Sequence, residues 1–545
     1  LKRDTLNKIS IILLSGVLFY PFLGGVHLFD WDEINFAEIS REMLLTGDYL
    51  RPQINFEPFW EKPPLFIWMQ VLSMKLFGIN EFAARFPNAV CGTLSLLTLY
   101  SIGKKVKDER LGLWWVLAYV GSILPHLYFR SGIIDPWFNL FIFLGIIQYL
   151  NFREKGGNKS WIAIALSGFF IGLAVLTKGP VALLIFGLCG AIFGLFTRFR
   201  KWLSLPAVFM FALTFVVTNA LWYGVEISRN GTWFLEEFIT YQIRLFQTKD
   251  AGHGGFPGYH GVILLTGCFP ASAFALSGLF TSRNAPKTIT GKDFRLMMKI
   301  LFWVVLVLFS VVSTKIVHYS SLCYFPLTFI AAQELYRLST EKERPGILSS
   351  VVLGIVGGLF AVAALAFPIL LDFREKMLPF FNDPFAKEAL FSAISAPWYL
   401  YVAGIFILAV LTVSHFKVRS ARPENGYRIL FLGNAFAVAM VLYLFVGRAE
   451  MFSQYAHIEF LKSCAEKNLP VQTAGFKSYA QYFYGQSTRT LPGWKEILNN
   501  GFDGNIYLVA KVNKEKELDA RSDLEKTGRK NGFVFYLKKG NHAAE

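Results

Sequence analysis

Five stretches of the chain put charged and aromatic side chains where apolar sequence stops, and their types bound the chemistry available. Asp32 and Glu33 follow an apolar run at once and lead into a helical stretch with Ala37, Arg41 and Glu42 that ends at Gly47. Acids at the end of an apolar run are ordinarily just solvated; their company argues for more. The same stretch continues to Trp60-Glu61-Lys62-Pro63-Pro64; proline restricts the residue before it to extended backbone, so two opposite charges stand on a rigid turn. A carboxylate there can bind a divalent cation, Zn²⁺ or Mg²⁺, and a lysine can neutralise a phosphate. Asp135, before Pro136, reads both as a helix N-cap and as a charge facing the interior of a helix bundle. Lys178, in Thr177-Lys178-Gly179-Pro180, is either a snorkelling lysine or a contact for a bound anion. The stretch 228–260 holds Glu236, Glu237, Arg244, Asp250, His253 and His260 among glycines. Two histidines and a carboxylate are a metal-ligating set, although this spacing matches no dedicated zinc motif. Lys315 to Tyr319, with His318 between them, is the fifth stretch.

What must position these residues is a lipid-soluble scaffold. The chain has 545 residues, 54% of them hydrophobic and 55 of them Phe, with only 17% charged, where soluble proteins carry about a quarter. Mean hydropathy is +0.42. The net charge of +16 would suit nucleic acid, but the basic residues sit in short loops between apolar runs, which excludes it as a partner. Cys91, Cys189, Cys268, Cys323 and Cys464 have no metal-ligand spacing, and the first four lie in apolar sequence, so no disulfide framework is expected. Apolar runs near 9–29, 82–103, 111–129, 136–151, 161–177, 180–196, 203–225, 261–281, 297–314, 317–335, 348–371, 398–415 and 428–446 predict thirteen membrane-spanning helices. The first run ends in Phe29-Asp30-Trp31-Asp32-Glu33 rather than at a small-residue cleavage site, which reads as an uncleaved span. The segment 63–79 is short behind its double proline and is read as a helix lying in the membrane interface.

Loop charge supports that count. With the N-terminus in the cytoplasm, the inside loops carry Lys104, Lys105, Lys107 and Arg110; Arg153, Lys155 and Lys159; Arg198, Arg200 and Lys201; and further Lys and Arg clusters after 281, 335 and 415, as the positive-inside rule requires. The first outer loop instead holds Asp30, Asp32, Glu33, Glu38, Glu42, Asp48, Glu57 and Glu61. Residues 1–447 thus form a membrane domain with large outer loops at 30–80 and 228–260. Residues 448–545 form a small extracytoplasmic α/β domain, with a helix at 452–467 and strands at 470–475, 505–512 and 532–538.

All five stretches then map to one side of the membrane. Carboxylates, lysines and histidines converge at the outer surface of an apolar bundle, which suits a substrate with a lipid tail, an anionic phosphate and a polar head. The ordered set Asp32-Glu33, Ala37 to Met43, Gly47-Asp48, Glu61-Lys62-Pro63-Pro64-Leu65, Arg85-Phe86-Pro87, Asp135, Thr177 to Pro180, Arg244 with Phe246, and Ser313 through Lys315 and Tyr319 to Pro326 resembles the bacterial lipid A aminoarabinose transferases and their relatives, the protein O-mannosyltransferases. The resemblance implies a polyprenyl-phosphate-sugar-dependent glycosyltransferase of the membrane GT-C fold in the bacterial inner membrane. Its acceptor would be lipid A, another glycan or a protein, and its C-terminal domain periplasmic. It also implies roles: Asp32 and Asp135 as the essential acids; Glu61 and His253 as metal ligands near the carrier phosphate; Lys62 and Arg244 as phosphate contacts; and Tyr319 as part of a lid. Glu33, Lys178 and Lys315 are the remaining candidate substrate contacts. The chain departs from the family pattern at Trp31, at His318, where relatives often have Pro, and in its glycine-rich stretch 252–259. Displacement of the phosphate through an oxocarbenium-like state, with Asp32 accepting the acceptor's proton, predicts inversion at the anomeric carbon. A transporter or lipid-linked-sugar flippase is the rival reading. Such proteins often carry internal repeats and broken helices near the midplane, and the sequence shows no repeat.

Overall fold

The computed structural model describes the chain except residues 1, 155–157, 200–203, 249–253, 281–288, 392–395 and 541–545. It opens with α1 (Arg3–Phe19), α2 (Asp32–Thr46), a two-stranded ribbon of β1 (Gln53–Ile54) and β2 (Glu57–Pro58), and α3 (Leu65–Phe77). Then come α4 (Glu81–Val106), α5 (Glu109–Val120), α6 (Ile123–Tyr128), α7 (Asp135–Glu154), α8 (Asn158–Lys178), α9 (Val181–Phe196), α10 (Leu205–Asn219), α11 (Val225–Asn230) and α12 (Trp233–Gln247). The bundle continues through α13 (Tyr259–Gly267), α14 (Ala271–Phe280), α15 (Ile289–Val311), α16 (Tyr324–Glu341) and α17 (Ile347–Asp372). It closes with the short α18 (Arg374–Met377) and α19 (Pro384–Leu390), then α20 (Tyr401–Val418) and α21 (Pro423–Met451).

Among the described residues six helical stretches are by themselves long and apolar enough to cross a membrane: α8, α10 with its continuation to Asn230, α15, α17, the stretch Trp398–Val418, and α21. The predicted spans 111–129 and 261–281 are not single rods. The first breaks between α5 and α6 at Gly121-Ser122, the second between α13 and α14 at Cys268-Phe269-Pro270. A break inside a bilayer must have its freed backbone groups satisfied by protein, and here the two breaks satisfy each other. Ile123 N–H donates to Phe269 O at 3.3 Å, and Ser122 Oγ donates to Cys268 O at 3.2 Å. Asn434 of α21 donates to Gly121 O at 2.6 Å. The predicted span 317–335 opens as a 3₁₀ turn, Val317–Cys323, before α16.

The helix α3 has 13 residues, about 20 Å at 1.5 Å per residue, well short of a hydrocarbon core of about 30 Å. Leu72, Leu76 and Phe77 on it are exposed, while Gln70 is buried and holds its neighbours. Ser40 Oγ of α2 donates to Gln70 Oε1 at 3.1 Å, and Gln70 Nε2 donates to Ala84 O of α4 at 2.8 Å.

Past α21 the chain forms α22 (Tyr455–Glu466) and a sheet of β3 (Val471–Ala474), β4 (Ile506–Lys511), β5 (Leu524–Lys530) and β6 (Phe533–Lys538), ordered β3-β4-β6-β5. β3 and β4 run parallel and the other pairs antiparallel. The expected helix and three strands lie at α22, β3, β4 and β6. β5 is an added edge strand, joined to β6 through Asn531-Gly532, both at positive φ (49° and 81°), the two-residue turn whose twist suits a hairpin.

This domain packs directly on α2. Ile34 and Ala37 of α2 share one buried cluster with Ile458, Leu461, Val471 and Phe483. Tyr484 Oη accepts from Leu28 N–H at 2.7 Å, Arg41 donates to Ser487 O at 2.7 Å, and Asp30 accepts from Ser478. Asn55 exchanges two hydrogen bonds with the Leu491 backbone, at 2.9 and 2.8 Å.

Candidate active site

A cavity of about 340 Å³ lies where α2, the turn before α3, α7, α8, α12 and the 3₁₀ turn meet. Asp32 begins α2, where the unpaired N–H groups of a helix start favour a negative charge; its side chain is 44% exposed. Asp135 begins α7 and is buried. Lys178 ends α8 and donates Nζ to Asp135 Oδ1 at 2.6 Å. Its ammonium also lies 5.2 Å from the Tyr319 ring and 5.7 Å from Phe138. Lys62 reaches the cavity from the Trp60–Pro64 turn, 4.9 Å from the ring of Tyr241 on α12. Burial pulls its ammonium below the usual lysine value, against the charges of Glu61 and Asp32. Among the described residues no carboxylate oxygen lies within ion-pair distance of Lys62, so of the two lysines it is the one not already bonded to a carboxylate. Toward the membrane the walls are apolar: Phe138, Val181, Leu184, Ile185 and Leu322.

The turn that carries Lys62 is held from three directions. Trp222, on the π-helical turn Ala220–Gly224 that continues α10, donates to Leu50 O at 2.8 Å. In the β1–β2 ribbon Asn55 and Phe56 both take left-handed φ, 60° and 59°, a conformation costly for side chains larger than glycine. Asn55 is fixed by Leu491, and Phe56 N–H by Glu42 Oε2 at 2.9 Å.

Asp32, Lys62, Asp135, Lys178 and Tyr319 are thus brought to one cavity; the other expected residues stand elsewhere. Glu33 turns away and is buried in a two-pronged ion pair with Arg85, at 3.0 and 2.8 Å. Its oxygens also accept from Gly132 N–H and Phe29 N–H, and Arg85 donates in turn to the carbonyls of Leu23, Val26 and His27. That pair ties the end of α1 to α4 and leaves Glu33 no free lone pair for a substrate. Lys315 caps the end of α15, donating to Ser310 O and Val312 O at 2.8 and 2.9 Å. Arg244 lies on α12 with its guanidinium 5.1 Å from the Tyr241 ring, behind a residue that lines the cavity. His253 falls outside the described residues. Its proposed co-ligand Glu61 sits beside the Lys62 ammonium, which disfavours a cation there, and among the described residues no three His, Cys, Asp or Glu side chains gather as a metal site.

Two cavity residues carried weak sequence signals. His318 lies inside the stretch Lys315–Tyr319 and departs from the family pattern; its Nε2 stands 3.9 Å from Asp32 Oδ2 and 3.9 Å from Asp135 Oδ2. Asn139, one turn beyond Asp135, donates to Ser321 Oγ at 2.7 Å and anchors the 3₁₀ turn to α7.

Comparison with known proteins agrees with this architecture. Residues 61–222 match the family model described as dolichyl-phosphate-mannose-protein mannosyltransferase. An undecaprenyl phosphate-alpha-4-amino-4-deoxy-L-arabinose arabinosyl transferase of Pectobacterium atrosepticum is 26% identical over 95% of this chain and 95% of its own. The protein of the same name from Wigglesworthia glossinidia brevipalpis is 26% identical over 87% of this chain and 84% of its own. Among solved structures, ArnT from Cupriavidus metallidurans in the apo state superposes with a TM-score of 0.77 at 19% identity, covering 97% of both chains. The same protein bound to undecaprenyl phosphate gives 0.74 at 19% identity, covering 98% of both. A helical membrane bundle with a small C-terminal sheet domain is therefore a shared fold, and the chain is similar along almost its whole length to aminoarabinose transferases and, over residues 61–222, to the protein-mannosyltransferase family model.

Proposed function

We propose that this chain transfers 4-amino-4-deoxy-L-arabinose from undecaprenyl phosphate to lipid A at the outer face of the bacterial inner membrane, with inversion at the anomeric carbon. The N-terminus is cytoplasmic in this reading, and residues 448–545 form a separate periplasmic domain. The observation that carries it is the cavity itself: two carboxylates, two lysines and a histidine over an apolar floor, which matches a donor with a lipid tail and an anionic phosphate. The relatives named above supply the sugar and the carrier.

The phosphate of the donor sits on Lys62 and Lys178. As the anomeric C–O bond breaks, its electron pair and the growing negative charge pass to the phosphate, and ammonium groups already in place stabilise that charge more in the transition state than in the ground state. Asp135 holds Lys178 in place until the phosphate arrives. The acceptor enters from the exposed side of Asp32. An acceptor hydroxyl gives its proton to Asp32 as its oxygen bonds the anomeric carbon; an acceptor phosphate is already ionised, and Asp32 then orients it. The apolar walls keep water from the oxocarbenium-like centre.

The test is transfer by the purified full-length protein from radiolabelled undecaprenyl-phosphate aminoarabinose to lipid A. Asp32→Asn and Asp135→Asn are each expected to lower turnover by at least about a hundredfold while leaving expression and the thermal melt near wild type. Full activity in Asp32→Asn removes that residue from the chemistry, and no transfer by the wild-type protein removes this donor and acceptor.

A further inference from the structure

The carboxylate of Asp135 is only half satisfied. Oδ1 takes the Lys178 ammonium, whereas Oδ2 is buried without a hydrogen-bond partner. Buried polar atoms in folded proteins are nearly always bonded, so an exception asks for a reason. His318 Nε2 lies 3.9 Å away, and the same nitrogen stands equally far from Asp32 Oδ2. At that distance neither contact is a hydrogen bond. A shift of about 1 Å would bring the nitrogen within bonding distance of one acid, and a single N–H serves one acid well at a time. The ring is carried by the 3₁₀ turn Val317–Cys323 that opens α16.

We propose that His318 is a positioning residue that couples the two acids to the state of the donor site. In the empty cavity it stands between the two acids, within a small shift of either. When the carrier phosphate draws the Lys178 ammonium to itself, Asp135 loses a partner, His318 passes to Asp135 Oδ2, and Asp32 is left free to meet the acceptor. Donor binding thereby readies the acceptor site. This rests on the reading above that Lys178 contacts the carrier phosphate. No covalent step involves the imidazole. The acceptor's proton goes to Asp32 and leaves to water on that residue's exposed side. The charged and titratable groups that face the ring are Asp32 from α2, Lys62 from the turn, Asp135 from α7, Lys178 from α8 and His260 from α13, together with the adjoining Tyr319 ring at 5.4 Å.

Two measurements on the full-length protein in nanodiscs test this, with His318→Gln, which keeps an uncharged N–H donor, and His318→Ala. The first is the affinity for lipid A with and without saturating undecaprenyl phosphate. The wild-type protein should bind lipid A about tenfold more tightly when the carrier phosphate is present, and both variants should lose most of that gain while holding undecaprenyl phosphate within about threefold of wild type. The second is kcat for transfer between pH 5 and 9. The neutral ring keeps one N–H, so both variants should be slower than wild type by ten- to a hundredfold at every pH in this range, with pH profiles parallel to its own. An equal gain in lipid A affinity in His318→Gln, or wild-type kcat in His318→Ala, would each overturn the proposal. Failure of the functional reading looks different: the wild-type protein then transfers nothing, and the affinity measurement still decides the coupling.

Discussion

Lys62 and Glu42 show how one residue's surroundings set what it can do. Lys62 is the cavity lysine not already bonded to a carboxylate, so a donor phosphate gains a charge-assisted bond there of about 1.5–3 kcal/mol. Lys62→Ala should weaken binding of undecaprenyl phosphate by about ten- to a hundredfold, read by titration of the purified protein; a change below about threefold would place the phosphate elsewhere. Glu42 faces the opposite problem. The Arg41 fork is taken by Glu38, with both bonds at 2.7 Å, and burial together with the Glu38 charge pushes Glu42 up to about 8. Its carboxyl therefore stays protonated in the folded protein well above the pH at which it ionises in the unfolded chain. The stabilisation is fully present below about pH 4.5 and is lost as pH rises toward 8 and through it, by at most about 1.4 kcal/mol per pH unit. Glu42→Gln keeps the acceptor for Phe56 N–H and should flatten that fall, seen as thermal melts at pH 6 and pH 9 that differ less than in wild type. Sequence alone made Asp32, Lys62, Asp135 and Lys178 legible because charges beside apolar runs and prolines are rare enough to stand out. It could not separate Glu33 from Asp32, since adjacent acids on a helix point different ways and only the fold brings Arg85 to one of them.

At the scale of elements, hydropathy found the helices and missed how two of them break. The runs 111–129 and 261–281 are apolar throughout, so nothing in their hydropathy marks a fracture; the clue was the local chemistry of Gly121-Ser122 and Phe269-Pro270, since proline keeps the residue before it out of helical backbone. The breaks persist because each supplies what the other lacks, with Asn434 as the third party. Asn434→Leu keeps the volume and removes the donor to Gly121 O. It should destabilise the protein by about 1–2 kcal/mol in detergent unfolding, and a melt equal to wild type would show that the break is satisfied without it. The edge strand β5 went unread for a different reason. Leu524-Glu525-Lys526-Thr527-Gly528-Arg529-Lys530 has no apolar alternation, because an edge strand with one face in water gains from charges that deter pairing with another chain. The signal that was present was Asn531-Gly532, the strongest short-range hairpin cue.

For the whole molecule, the ends of the helices sort by chemistry. Asp135 starts α7 and Arg153 and Glu154 finish it, in a helix of 20 residues, about 30 Å long. The candidate cavity lies at the first end. At the other, Lys105, Arg153 and Arg198 border a second cavity of about 970 Å³. The charge bias that predicts the orientation is thus laid out in space as well as along the chain. In intact cells Lys107→Cys should resist a membrane-impermeant thiol reagent and react only after permeabilisation; labelling from outside would invert the assignment. The C-terminal domain ties the two accounts together, since it clasps α2, the helix that begins with Asp32.

That clasp also sets a clock. Leu28 and Tyr484, whose hydrogen bond anchors the domain beside the site, are 456 residues apart. At synthesis rates of about 5–20 residues per second, the first waits roughly 20–90 seconds for the second. Through that interval α2 and its acids are already made, the bundle is assembling around them, and the Leu28 N–H has only water or lipid headgroups to bond. A ribosome that stalls before residue 484 leaves the bundle made and its first outer helix unclasped, so α2, which begins with Asp32, is clasped only once Tyr484 has been made.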